Sequence, residues 1–152
     1  MKLPYSEGAI FLVPLRKGGY ARGVIARASS EGKVLLGYFF GPRLSSAAIT
    51  KSADLDPSKA LLRVRFGDLG LMNGEWPIRG RIHNWNRTQW PMPDFVRTDP
   101  LMKKKPVLVR YSDDDPSRIE VESPVIDDAG LGTDSMAGYG AVELRLTKLL
   151  CD

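Results

Sequence analysis

Three short apolar runs separated by tight polar turns open the chain, and they constrain its fold more than any other feature. The runs are AIFLVPLR (9–16), YARGVIARA (20–28) and VLLGYFF (34–40). Runs of this length, joined by glycine-containing or polar turns, are typical of antiparallel strands in successive hairpins. Because Pro14 cannot donate to a strand ladder, the first strand should bend there or lie at a sheet edge. The pattern predicts a β-meander, with Gly23 and Gly37 marking bends where the sheet curls.

The rest of the chain extends this pattern. Further strands are predicted near residues 62–66, 76–82, 106–112 and 118–125. The segment 140–150 alternates like a strand at Val142, Leu144 and Leu146, but Val142, Leu146, Leu149 and Leu150 also form a helical stripe. The apolar pair at its end favours a helix docked on a sheet. The fold class expected is mainly β (α+β): a curved antiparallel sheet or small β-barrel with a C-terminal helix, in a single domain spanning residues 1–152.

Residues 74–95 concentrate the side chains most suited to recognition. This tryptophan segment holds every tryptophan of the chain and its only histidine, with arginines between them. Clustered tryptophans either cover one end of a core or line a groove for a partner, where arginine can stack beside them. On the second interpretation the partner-binding candidates are Trp76, Arg79, Arg81, His83, Trp85, Arg87, Trp90 and Arg97.

Charge is divided unevenly along the chain. Residues 1–110 carry 19 Lys and Arg against 8 Asp and Glu, a net +11, whereas residues 111–152 carry 3 against 10, a net −7. This split could leave a basic face open to nucleic acid or to an acidic partner. We favour the alternative that the acidic part folds back on the basic part, since a dedicated nucleic-acid binder usually keeps its excess charge uncovered.

The sequence is poor in catalytic and metal-binding patterns. One histidine and one cysteine cannot supply the usual zinc spacings, and no GxSxG, GxGxxG or P-loop pattern occurs. Residues 113–115 lack the spaced oxygens and the glycine of a calcium loop, so a turn is expected there. His83, with Asp94 within folding reach, is expected to be a hydrogen-bonded structural or interface residue. We therefore expect a protein that is not an enzyme and needs no cofactor or metal.

No targeting pattern is apparent. Met1 and Lys2 are followed by LPYSEG, which is too polar for a signal core, and the apolar run 9–15 is far shorter than a membrane span. Cys151 has no second cysteine with which to form an internal disulfide. These features predict a cytoplasmic protein with no membrane partner.

Five stretches, in this order, carry a resemblance to a known family. They are EGAIFLVPL (7–15), GYARGVIAR (19–27), GEWPIRG (74–80), WPMPDF (90–95) and GYGAVELRLTKLL (138–150). The chain resembles the immunity protein 26 family of bacterial polymorphic-toxin systems. The resemblance implies a small cytosolic protein that binds and neutralises a cognate protein toxin. Some relatives are labelled phosphotriesterase, and the family gives no catalytic residues to carry over.

The function expected from the sequence is therefore that of a bacterial immunity protein. Two alternatives remain open. A nucleic-acid-binding β-barrel would fit the isoelectric point near 9.3 and the aromatics interleaved with arginine. A phosphotriester hydrolase is the weaker alternative, and its activity would depend on His83 or on a bound metal.

Overall fold

The computed structural model describes residues 3–47, 55–99, 104–125, 131–134 and 136–151, which contain ten strands and two α-helices. The strands are β1 (Ala9–Pro14), β2 (Tyr20–Ala28), β3 (Val34–Leu44), β4 (Leu62–Gly67), β5 (Ile78–Arg81), β6 (Phe95–Asp99), β7 (Lys104–Tyr111), β8 (Ile119–Pro124), β9 (Gly132–Thr133) and β10 (Met136–Ala137). The helices are α1 (Leu69–Met72) and α2 (Tyr139–Leu150), with short 3-10 turns at Pro57–Lys59 and Arg87–Gln89.

The strands form two sheets. The first has the order β10-β4-β3-β2-β1-β5 and the second the order β8-β7-β6-β9. The predicted meander is confirmed, because β1, β2, β3 and β4 pair antiparallel in succession. The mainly β class and the C-terminal helix are also confirmed. Of the two predicted architectures, the described strands correspond to open sheets rather than to a closed barrel.

Both faces of the first sheet are covered, which explains its nearly continuous apolar runs. Along β1, the side chains of Ile10, Phe11, Leu12 and Val13 are all fully buried. Phe11 and Val13 contribute to a core shared with α2, whereas Ile10 contributes to a core shared with the second sheet. The order of layers is therefore α2, first sheet, second sheet.

The core beneath α2 is aromatic and closely packed. A Cβ atom at Gly23 would lie 2.4 Å from the ring of Phe11, and one at Gly37 would lie 2.6 Å from the ring of Phe66. Both rings are fully buried. The two glycines therefore make space for phenylalanine rings that pack against the sheet.

The sequence placed one strand wrongly in one of two alternatives and missed another strand. β1 is an interior strand, paired with both β2 and β5, and not an edge strand. Its proline is tolerated because β5 pairs only with the stretch from Ala9 to Phe11, so Pro14 lies beyond that ladder. β6 was not predicted, because it directly follows a proline-rich stretch and is only five residues long.

Candidate functional site

Two of the three tryptophans are core residues on opposite faces of the first sheet. Trp76 is 1% exposed and stacks on Phe11 at 5.6 Å between ring centroids. Trp90 is 2% exposed and meets the ring of Tyr38 edge-on at 5.1 Å, in the core between the sheets. The core interpretation therefore applies to these two indoles. In this structure neither presents its ring to a partner.

Trp85 differs, because it is half-buried at the surface. Its ring lies 5.6 Å from that of Trp90, and its indole N–H donates to Oε1 of Glu7 at 3.4 Å. A Cβ atom at Gly8 would approach the Trp85 ring to 3.0 Å. Trp85 thus closes the edge of the core between the sheets and leaves part of its ring accessible.

Three of the predicted residues lie together along β5 and the turn after it. Arg79, Arg81 and His83 are exposed, and we call them the β5 edge. Arg81 donates to the Ser6 hydroxyl at 2.7 Å. In the described part of the chain, His83 has no hydrogen-bond or ion-pair partner, so of the two expected roles the one at an interface stays a prediction. Asp94 instead forms a bidentate pair with Arg110 at 2.7 and 3.1 Å.

The two remaining arginines are engaged in ion pairs. Arg87 donates to Glu7 Oε2 at 3.0 Å and to the carbonyl of Asp113 at 2.7 Å. Arg97 belongs to the second sheet, where it pairs with Asp134 and with Glu122. The eight predicted residues therefore lie in several separate places and do not form one continuous surface. Partner binding by the exposed members stays a prediction.

A buried arginine that the sequence did not single out organises the loop after β5. Arg27 is 3% exposed and lies in β2. Its guanidinium donates four hydrogen bonds, to the carbonyls of Ala26, Arg87 and Trp90 and to the carboxylate of Asp113. The Arg27 side chain thus holds the loop after β5 that contains Arg87 and Trp90, here called the Trp90 loop, against the first sheet. The only sequence signal was a cation within an otherwise buried strand.

Asp134 joins the two sheets. It lies between β9, which pairs in parallel with β6 of the second sheet, and β10, which pairs in parallel with β4 of the first. Its side chain is 7% exposed and pairs with Arg65 at 3.2 Å and Arg97 at 3.1 Å. Tyr111 donates its hydroxyl to the same carboxylate, and Arg65 lies 3.6 Å above the Tyr111 ring. Four side chains from both sheets therefore form one polar cluster, in which Arg97 is 40% exposed and the other three side chains are buried.

This environment shifts two pKa values. Burial alone would raise the pKa of Asp134, but the hydrogen bonds from Tyr111 and Arg97 and the charges of Arg65 and Arg97 outweigh it. The pKa of Asp134 therefore lies below that of an ordinary aspartate. Burial, together with the hydrogen bond to Asp134, raises the pKa of Tyr111 to about 12.

The polar cluster around Asp134 should make the free energy of unfolding depend on pH in the acidic range. A carboxyl whose pKa is lowered by folding stabilises the protein above its unfolded pKa, near 4, and loses this contribution as pH falls through the folded value. We expect Asp134→Asn to lower the free energy of unfolding by about 1–3 kcal/mol at pH 7 and by less at pH 3. Urea denaturation at both pH values measures the difference.

The control is Asp114→Asn, which removes a carboxylate whose side chain is 86% exposed and should change stability by less than about 1 kcal/mol. An Asp134→Asn effect of equal size at pH 3 and pH 7 would contradict the role assigned to this carboxylate.

The uneven charge along the chain has a structural counterpart. Among the described residues, ion pairs join Arg16, Arg27, Arg65, Arg87 and Arg97 to the later carboxylates of Asp113, Asp114, Glu122, Asp134 and Glu143. These pairs confirm that the acidic part of the chain folds back on the basic part. Residues 113–117 form the predicted turn, in which Asp115 accepts a hydrogen bond from the backbone N–H of Ser117.

Helix α2 is fixed to the sheet through a buried carboxylate. Glu143 faces the core and accepts from the Trp76 indole at 2.9 Å and from Arg16 Nε at 3.0 Å. The backbone N–H of Arg16 donates to the Thr147 hydroxyl at 2.9 Å. The predicted helical stripe is confirmed at Val142 and Leu146, which are fully buried. It is wrong at Leu149, which is 56% exposed.

An open groove of about 500 Å³ runs between α2 and the turn from β1 to β2. We call it the α2 groove. Its lining is mainly apolar in surface and comprises Arg16, Lys17, Leu144, Arg145, Thr147, Lys148 and Cys151. The sequence did not indicate this groove, because its two walls are far apart in the chain.

Within the described ranges, no group of three or more His, Cys, Asp and Glu side chains could hold a metal ion.

Neither described helix has the length and apolar character that a membrane span requires.

Comparison with known proteins identifies the family. No curated protein and no solved structure matches the chain. Residues 6–106, which run from the segment before β1 into β7, match the family model described as immunity protein 26. This match covers more than half of the sequence and agrees with the resemblance carried by the hairpin and tryptophan stretches, so the chain belongs to the immunity protein 26 family.

Proposed function

We propose that the protein binds a cognate bacterial toxin in the cytosol and neutralises it, which protects the cell that makes both. The observation that carries this proposal is the family match over residues 6–106. An immunity protein can act by binding alone, so it needs a complementary surface and no catalytic group.

The charge of the protein supports such a role. Its net charge is +4, although ion pairs cover much of the basic part. The cations that stay exposed would attract an acidic surface and increase the rate of encounter, and this effect weakens as salt rises. The expected partner is therefore a toxin with an acidic binding face.

The two alternative functions find less support in the geometry. A nucleic-acid-binding module needs exposed aromatic rings on which bases stack. Of the three tryptophans only Trp85 is partly exposed, whereas Trp76 and Trp90 are buried in separate cores. A hydrolase using His83 needs a group to orient the imidazole. Asp94, the expected neighbour, is paired with Arg110.

The test is to express the protein with the toxin encoded beside its gene. We expect a one-to-one complex with a dissociation constant in the nanomolar range or below. Size-exclusion chromatography and calorimetry, with a catalytically inactive toxin, measure binding separately from survival. A toxin from an unrelated system is the specificity control.

Cells that carry the toxin should survive only when the cognate protein is present. If the toxin kills equally with and without it, and the purified proteins do not associate, the proposal is wrong.

A further inference from the structure

The α2 groove combines an apolar floor with a cationic rim. Leu144 is 54% exposed and lines the groove, as does Cys151. Single exposed leucines are ordinary on protein surfaces, but Leu144 lines an open groove whose walls would contact an inserted apolar side chain. The groove therefore offers an anchor point for an apolar side chain of a partner.

The rim carries charge of one sign. Among the described residues that line the groove, four are cationic and none is a carboxylate. Arg145 and Lys148 are exposed and have no ion-pair partner in the described part of the chain. Leu144 and Lys148 are four residues apart, so they are neighbours on one face of the helix. A partner that fits this site would bring carboxylates beside its apolar side chain.

The walls of the groove are already ordered. Arg16 joins the turn to α2 through Glu143 and Thr147. On the other side of the turn, Arg43 Nε donates to the carbonyl of Gly18 at 2.9 Å. Gly18 and Gly19 both have positive φ, which the tight turn requires. A partner would therefore enter a preformed site and lose little binding energy to ordering it.

We propose that the α2 groove is the toxin-binding site and that it takes a toxin segment in which carboxylates flank an apolar side chain. This assignment rests on the proposed function and adds the location and chemistry of the contact. The apolar floor favours a protein segment over nucleic acid, whose phosphates would use the cations but not Leu144. The β5 edge has exposed cations but no exposed large apolar side chain among its three residues, and binding hot spots are usually centred on one.

Substitutions in the groove test the assignment. Leu144→Asp should weaken toxin binding about 30-fold or more, since it puts a charge where an apolar anchor inserts. Arg145→Glu with Lys148→Glu should weaken it about tenfold or more and reduce its salt dependence. These three side chains are exposed, so thermal unfolding midpoints should stay close to that of the wild type.

The matched control is Lys33→Glu with Lys59→Glu, which makes the same change in net charge at two exposed lysines outside the groove. It should alter affinity less than about threefold. A second pair, Arg79→Glu with Arg81→Glu, tests the β5 edge as the competing surface.

Labelling of the wild-type protein gives an independent measurement. Cys151 is the only cysteine and is half-buried in the groove, so its reaction with a small maleimide reports access to the site. Saturation with toxin should slow labelling of the Cys151 peptide, measured by mass spectrometry, about tenfold or more.

The outcomes separate the two proposals. If the wild type does not bind the toxin, both are overturned. If the wild type binds but the groove variants bind equally well and Cys151 labels at an unchanged rate, only the groove assignment is overturned. Single-stranded RNA is the competing ligand for the cationic groove. If the groove variants lose RNA binding but keep full toxin affinity, the groove assignment is also overturned.

Discussion

Replacing Trp76 by alanine is expected to lower the free energy of unfolding by about 4 kcal/mol, which is the largest stability effect we predict. The indole is fully buried and stacks on Phe11, with Phe66 at 5.6 Å between ring centroids. Truncation would leave a cavity beneath α2. It would also remove the indole N–H that donates a hydrogen bond to Glu143. Guanidinium denaturation followed by circular dichroism measures the change.

Two further variants separate packing from hydrogen bonding. Trp76→Phe keeps an aromatic ring but not the donor, and should cost about 1–3 kcal/mol because a buried carboxylate oxygen loses a partner. Trp85→Ala removes the same residue type from a half-buried position and should cost clearly less than Trp76→Ala. Equal losses at Trp76 and Trp85 would show that Trp76 is not the core residue described here.

Replacing Arg27 by methionine is expected to destabilise the protein by about 3 kcal/mol. Methionine fills a similar volume but leaves the carbonyls of Ala26, Arg87 and Trp90 without this donor. A buried acceptor that loses its partner costs about 1 kcal/mol or more. The loop around Trp90 should also loosen, so acrylamide should quench tryptophan fluorescence more strongly than in the wild type.

Arg118→Met is the control for this effect. Arg118 is exposed, and its bond to the Ser112 hydroxyl is open to water at one end, so its loss should change stability by less than about 1 kcal/mol. If Arg27→Met is as stable as Arg118→Met, the Trp90 loop does not depend on the buried guanidinium.

The hairpins could be predicted from the sequence because their signals are local. Apolar runs and turn residues lie next to each other between residues 9 and 40, and the structure has strands there. The helix at the end of the chain was predicted from the apolar pair Leu149 and Leu150, because Val142 and Leu146 fit a strand as well as a helix. The helix is present, although Leu149 is exposed. β9 and β10 are two residues each, too short to show any periodicity.

The candidate site was less predictable because burial of its residues depends on distant partners. Trp76 and Glu143 are 67 positions apart, and Arg27 and Asp113 are 86 apart. A sequence pattern shows that tryptophans are clustered but not which face of the sheet each one covers. It also gives no sign that Glu143, an ordinary residue for an exposed helix face, is buried against an indole.

The hydrogen bond between the Arg16 backbone N–H and the Thr147 hydroxyl has a consequence for when the α2 groove forms during synthesis. These residues are 131 positions apart, and the α2 groove needs both of its walls. A ribosome adds about 5–20 residues per second, so on the order of 10 s separates synthesis of the turn from synthesis of the helix. A nascent chain that has made β1 and β2 would have no groove to offer a toxin. If the protein neutralises a toxin through this groove, as proposed, only chains that are complete and folded can contribute to protection.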